Sequence, residues 1–207
     1  MSESEAASTS ASQLAASGDI LEKLNTAKRF KEDGDKAFQA SDVKTALREY
    51  HQAILYLRGL DKNALQKALG QPIPPPPPIE AVDQAAQEKP RTEIDVLLEK
   101  IYSNMSQCHV TNSNWERVIE TANGALAINP KNRKALFRKA KAYGETGWFE
   151  KAETILQDLI KDAVSPEKEA CEAELQRLSA MDREREKTHN KKMKGFLNKG
   201  RINLGED

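Results

Sequence analysis

The chain repeats itself, and that self-similarity constrains its fold more than any single motif. SNMSQCHVTNSNWERVIETANGALAINP is followed by FRKAKAYGETGWFEKAETILQDLIKDAV with the same placement of apolar and small residues. At an offset of 34 residues Asn104 falls on Arg138, Cys108 on Ala142, Trp115 on Phe149, Val118 on Ala152 and Ala125 on Leu159. A third copy lies upstream, AKRFKEDGDKAFQASDVKTALREYHQAILYL, with Gly34, Phe38, Val43, Ala46, Tyr50 and Ala53 where the pattern wants small or large residues. A period of about 20 to 50 residues marks stacked supersecondary units rather than one irregular core.

An offset of 34 residues is the tetratricopeptide spacing, so each copy is predicted to be a pair of antiparallel helices. Neither helix of a pair can bury both its faces alone. A small residue in the first helix (Gly34, Ser106, Ala140) and another in the second (Ala46, Ala152) let the two backbones approach. Large residues then fill the gap: Phe38, Tyr50, Phe149 and Leu156. The fold class expected is all-α, a superhelix of three helix-turn-helix repeats with a long C-terminal capping helix. Composition agrees, since aromatics are only 5% and Ala, Leu, Lys and Glu recur.

The turns fall where the first helix of each copy hands over to the second: Ser41-Asp42, Asn112-Ser113-Asn114 and Glu145-Thr146-Gly147. Asn129-Pro130 ends the second copy, because the residue before proline is pushed out of the helical region. Repeat 1 is expected at about 27–60, repeat 2 at about 99–132, repeat 3 at about 133–166 and the capping helix at 166–182. Ser165-Pro166-Glu167 reads as that helix's start, with serine as N-cap and proline at the first helical position. Residues 1–18 are Ser/Ala-rich and polar, expected to be a disordered tail. A proline-rich insert at about 61–90 breaks the period, and its QPIPPPPPIE is expected to form an extended polyproline II arm. Residues 183–207 are expected to form a charged helical extension and tail.

Several function classes are disfavoured. Lys plus Arg equal Asp plus Glu at 32 each, so no basic excess draws the chain to nucleic acid. His51, His109 and His189 stand far apart in the pattern, and no nucleophile-base pair, phosphate-cradling glycine loop or metal spacing accompanies them. No enzymatic activity, cofactor or metal is therefore expected. Cys108 and Cys171 have no partner spacing and read as reduced core residues. No secretory signal or membrane span is expected, which makes a cytoplasmic location the simplest one. The basic KKMKGFLNKGR segment, with Met193, Phe196 and Leu197 interleaved, reads as a solubilising tail, with an acidic membrane surface or a calmodulin-like partner as the alternative.

Function in stacked arrays resides on the inner wall, built from the first helix of each pair. That wall is expected to present Lys31 and Asp35 on copy one, Asn104 on copy two, and Lys134 and Arg138 on copy three. The segments KEDGD, YSN and KALFR that carry these residues resemble the carboxylate-clamp tetratricopeptide domains of co-chaperones. There KxxGN, an early Asn and KAxxR grip the two carboxylates of a terminal Asp in the Glu-Glu-Val-Asp tails of the seventy- and ninety-kilodalton heat-shock chaperones. EYHQAILYLRGLD, the proline-rich insert, NWERVIETANGAL and KALFRKAKAY also resemble, in their order, the tetratricopeptide-repeat protein nine family.

The resemblance implies a non-catalytic adaptor with a chaperone tail as partner. Lys31, Lys134 and Arg138 would supply charge and Asn104 would donate to the main-chain carboxylate. Asp35 departs from the pattern, since an aspartate only accepts where asparagine donates. Replacing a charge-assisted hydrogen bond of roughly 1.5–3 kcal/mol by repulsion weakens such a site. Pairing with Lys31 one turn earlier would neutralise part of it, and Lys141 is a candidate to compensate. The alternative function is a scaffold that binds a different partner through the groove or the proline-rich insert.

Overall fold

In the computed structural model the backbone is described for residues 3–60 and 91–202, with side chains over 18–60 and 91–196. The described residues form seven helices: α1 (Glu3–Gln39), α2 (Val43–Arg58), α3 (Glu93–Thr111), α4 (Trp115–Ile128), α5 (Arg133–Glu145), α6 (Phe149–Lys161) and α7 (Glu167–Ile202). The polyproline expectation falls on residues outside those described.

Each repeat is closed by the same turn. Ser41 (φ 63°), Ser113 (φ 53°) and Gly147 (φ 89°) adopt the left-handed conformation at equivalent positions. Their amides donate to Phe38, Val110 and Gly144, and the next amides, of Asp42, Asn114 and Trp148, reach back to Ala37, His109 and Tyr143 at 2.8–2.9 Å. This five-residue return satisfies the carbonyls a helix end leaves open. Asp42, Asn114 and Asn132 then cap the following helices by accepting the amides of Thr45, Arg117 and Ala135, each cap contributing about 1 kcal/mol.

Packing follows the small residues. Ala46, Ser106, Ala140 and Ala152 are all 0% exposed, which lets paired backbones close up. Gly34 is the tightest approach in repeat 1, since a Cβ there would lie 2.7 Å from the Tyr50 ring. Both cysteines are buried thiols, and burial pushes Cys108 up to about 11. The pairs α1–α2, α3–α4 and α5–α6 stack in order, and the first helices touch in turn, α1 to α3, α3 to α5 and α5 to α7. They thereby form one continuous wall.

Three boundaries differ from expectation. Helical backbone begins at Glu3, inside the stretch expected to be disordered, as an alanine-rich, proline-free run allows. α3 starts at Glu93 rather than near 99, because Thr92 and Asp95 form a reciprocal capping box. α7 starts at Glu167, and the Ser165 hydroxyl donates to the Glu169 side chain instead of capping a backbone amide.

α7 covers the open face of repeat 3. Its Leu178 is fully buried and packs in the notch left by Gly144, where any Cβ would collide with the leucine side chain. Arg185 adds two bonds to the carbonyls of Gly144 and Glu145, which end α5. Beyond Arg183 the described side chains of α7 are exposed, so the helix leaves the body as its apolar stripe fades.

Candidate peptide-binding site

The five residues singled out in the sequence lie on α1, α3 and α5, the three helices of the continuous wall. They form two clusters. In the first, Lys31 and Asp35 are one turn apart on α1, and the Lys31 Nζ lies 2.5 Å from Asp35 Oδ2. The other carboxylate oxygen, Oδ1, accepts from Asn104 Nδ2 at 2.9 Å and from the Tyr50 hydroxyl at 2.7 Å. Asp35 thus holds three donors from three helices. The pair is partly shielded, with side chains 24% and 29% exposed.

Tyr50 joins this cluster because Gly34 leaves its ring room to cross beneath α1. Burial and then the Asp35 carboxylate raise its hydroxyl pKa, which keeps the proton available for donation. In the sequence Tyr50 reads as a gap-filler. Its polar role depends on where its hydroxyl ends, which no periodicity reports.

The second cluster belongs to α3 and α5. Arg138 donates from Nε to Gln107 Oε1 at 2.8 Å, and from its Nη1 to the Ser103 carbonyl and hydroxyl, both 2.8 Å, and to Ser106 Oγ at 3.4 Å. Burial lowers its pKa below the ordinary arginine value, a cost offset by those neutral acceptors. Lys134, one turn earlier, is exposed and has no ion pair or hydrogen bond among the described residues. Lys134, Arg138 and Gln107 line a cavity of about 220 Å³ together with Leu159, Glu167 and Cys171. Lys141 is half-buried, and no ion pair among the described residues involves it.

The structure therefore brings Lys31, Asp35 and Asn104 together, and Lys134 with Arg138. No hydrogen bond among the described residues joins the clusters directly. Their link is α3, whose adjacent Ser103 and Asn104 serve one each. Ser103 and Gln107 escape a sequence reading because they match no motif position.

The histidines are arranged differently from their sequence spacing. His51 of α2 and His109 of α3 line one cleft of about 540 Å³ on the second-helix side, together with Arg58 and Arg117. Burial, then Arg117 and His51, lower the His109 pKa. Two residues far apart in the chain meet there because α2 and α4 flank α3. No helix among the described residues is long and apolar enough to cross a membrane.

No model of a known protein family matches the chain. Among curated proteins it is 30% identical over 125 residues to tetratricopeptide repeat protein 9C of Xenopus tropicalis, a match covering 58% of this chain and 65% of that one. It is 31% identical over 96 residues to the Hsp70/Hsp90 co-chaperone CNS1 of Saccharomyces cerevisiae, covering 46% of this chain and 24% of the relative. The chain thus spans less than two thirds of the first relative and about a quarter of the second. Solved structures with the same fold include the C-terminal tetratricopeptide domain of a Plasmodium falciparum FK506-binding protein, at a TM-score of 0.61 and 18% identity over 81% of this chain and 95% of that one. The yeast Hsp90 co-chaperone Cns1 also superimposes at 0.61, with 20% identity over 88% of this chain and 47% of that one. The fold is that of a tetratricopeptide-repeat superhelix, and the sequence is similar to relatives that include a tetratricopeptide-repeat protein and a co-chaperone.

Proposed function

We propose that the chain is a non-catalytic adaptor whose inner wall docks the acidic C-terminal tail of a seventy- or ninety-kilodalton heat-shock chaperone. The observation that carries this reading is that Lys31 and Asn104, from separate repeats, already converge on one carboxylate, that of Asp35. The same two donors have the spacing to hold a ligand's main-chain carboxylate in the place that Asp35 takes. Lys134 and Arg138 then face the side-chain carboxylate of the last residue. The relative named as an Hsp70/Hsp90 co-chaperone supports the choice of partner.

Titration calorimetry with a peptide ending in Glu-Glu-Val-Asp tests it. Binding is expected to weaken with salt, as exposed charge pairs are screened. Lys134→Ala should lower the affinity about tenfold. Absence of binding up to about 1 mM peptide overturns the reading, since that limit corresponds to barely −4 kcal/mol.

The competing reading, a scaffold for a different partner, draws support from the fact that an internal acid already fills half of the site. Equal binding of the tail peptide and of one with its carboxylates neutralised favours the scaffold.

A further inference from the structure

We infer that Asp35 is a resident surrogate for the ligand's terminal carboxylate, so that a tail engages the Lys31–Asn104 half of the site only by displacing it. The inference rests on the docking proposal and names what sets its affinity and its selectivity. The geometry is specific. Both Asp35 oxygens are used, one by an ammonium at 2.5 Å and the other by an amide and a phenol at 2.9 and 2.7 Å. An incoming carboxylate needs the same Lys31 and Asn104 donors, and it meets a fixed negative charge already seated between them.

The contact is intramolecular, so the competitor is always present at high effective concentration. Lys31 and Asp35 share one helix face at the i, i+4 spacing, which orders the pair before any ligand arrives. Tyr50 anchors the carboxylate from below and cannot follow a ligand outward, because its ring is 1% exposed and locked against Gly34. Among the described residues the other half of the site has no such tenant: the acceptors of Arg138 are neutral, and Lys134 is exposed.

The consequence is an uneven reading of the ligand. The protein as it stands grips the side-chain carboxylate of the last residue through Lys134 and is nearly indifferent to the chain terminus. Removing the charge of Asp35 restores sensitivity to the terminus.

A cycle of two proteins and two peptides tests this. The proteins are the native chain and Asp35→Asn; the peptides end in Glu-Glu-Val-Asp as the free acid or as the terminal amide. The native chain is expected to lose less than about threefold on amidation. Asp35→Asn should bind the free acid at least about tenfold tighter and then lose about tenfold or more on amidation.

If the native chain binds but Asp35→Asn is no tighter, or the amidation loss is equal in the two proteins, the inference is overturned while the docking proposal stands. If neither protein binds, both fall. If only Asp35→Asn binds, the resident carboxylate is supported and docking by the native chain is overturned. Asp35→Ala, which removes the charge without adding a donor, is the second variant. It should also tighten binding, though less than Asp35→Asn, and its failure to do so counts against the inference. Far-UV circular dichroism melts establish that each variant is folded.

Discussion

The two halves of the inner wall carry the same kinds of side chain and treat them in opposite ways. Around repeat 1 the lysine is neutralised by an acid one turn away, and that acid is wrapped by groups from three helices. Around repeat 3 the arginine gives its Nε and Nη1 to neutral oxygens of α3 and the lysine is left in solvent. A cation's availability is thus decided by whether acceptors on its own or the neighbouring helix reach it, not by its place in the repeat. Polar groups in the first half serve the fold, and in the second half one of them, Lys134, is spare.

The strongest test of that contrast removes Tyr50, which is both core and donor. Tyr50→Ala should cost about 3–5 kcal/mol of unfolding free energy in urea, as buried aromatic truncations do. A cost under about 1 kcal/mol would mean the ring is not the keystone of repeat 1. Arg138→Met comes next, with about 2 kcal/mol expected because the Ser103 and Gln107 oxygens lose their donor.

Tyr50→Phe isolates the hydroxyl. It should cost about 1.5 kcal/mol at neutral pH, and it also carries a pH signature. Because the folded-state pKa of Tyr50 is raised above its ordinary 10.0, the unfolded chain loses this proton first. The stabilisation is complete below pH 10 and declines as pH rises above it. Urea melts between pH 9 and pH 11 should therefore show a smaller alkaline loss in Tyr50→Phe than in the native chain.

Smaller still is Lys31→Ala, at about 0.5–1 kcal/mol for a partly exposed pair. Lys134→Ala should change stability by less than about 0.5 kcal/mol. A larger loss from Lys134→Ala than from Lys31→Ala would reverse the comparison.

Much of the architecture is legible in the sequence because it is periodic. Gly34, Ser106 and Ala140 recur at one position of the first helix, and the structure buries Ser106 and Ala140 fully and sets Gly34 against the Tyr50 ring. The turn residues Ser41, Ser113 and Gly147 stand at the predicted handovers and share one backbone conformation. The five wall residues are also readable as positions. Their partners are not, because side-chain direction is set by neighbours from other repeats. The contact between Asn104 and Asp35 spans 69 residues of chain, and that between Arg138 and Gln107 spans 31. The i, i+4 pair of Lys31 with Asp35 is the exception, since both ends lie on one helix.

The seating of Leu178 against Gly144 bears on how molecules of this protein can associate. Stacked repeats expose an adhesive end, and an uncovered one invites another array to continue the spiral. Here the end is covered by α7, held by Leu178 at the Gly144 notch, by Cys171 in the same core and by Arg185 and Arg177 on the end of α5. A bulkier residue at position 144 would therefore act at a distance from the wall: it would collide with Leu178 and push α7 away from the terminal face.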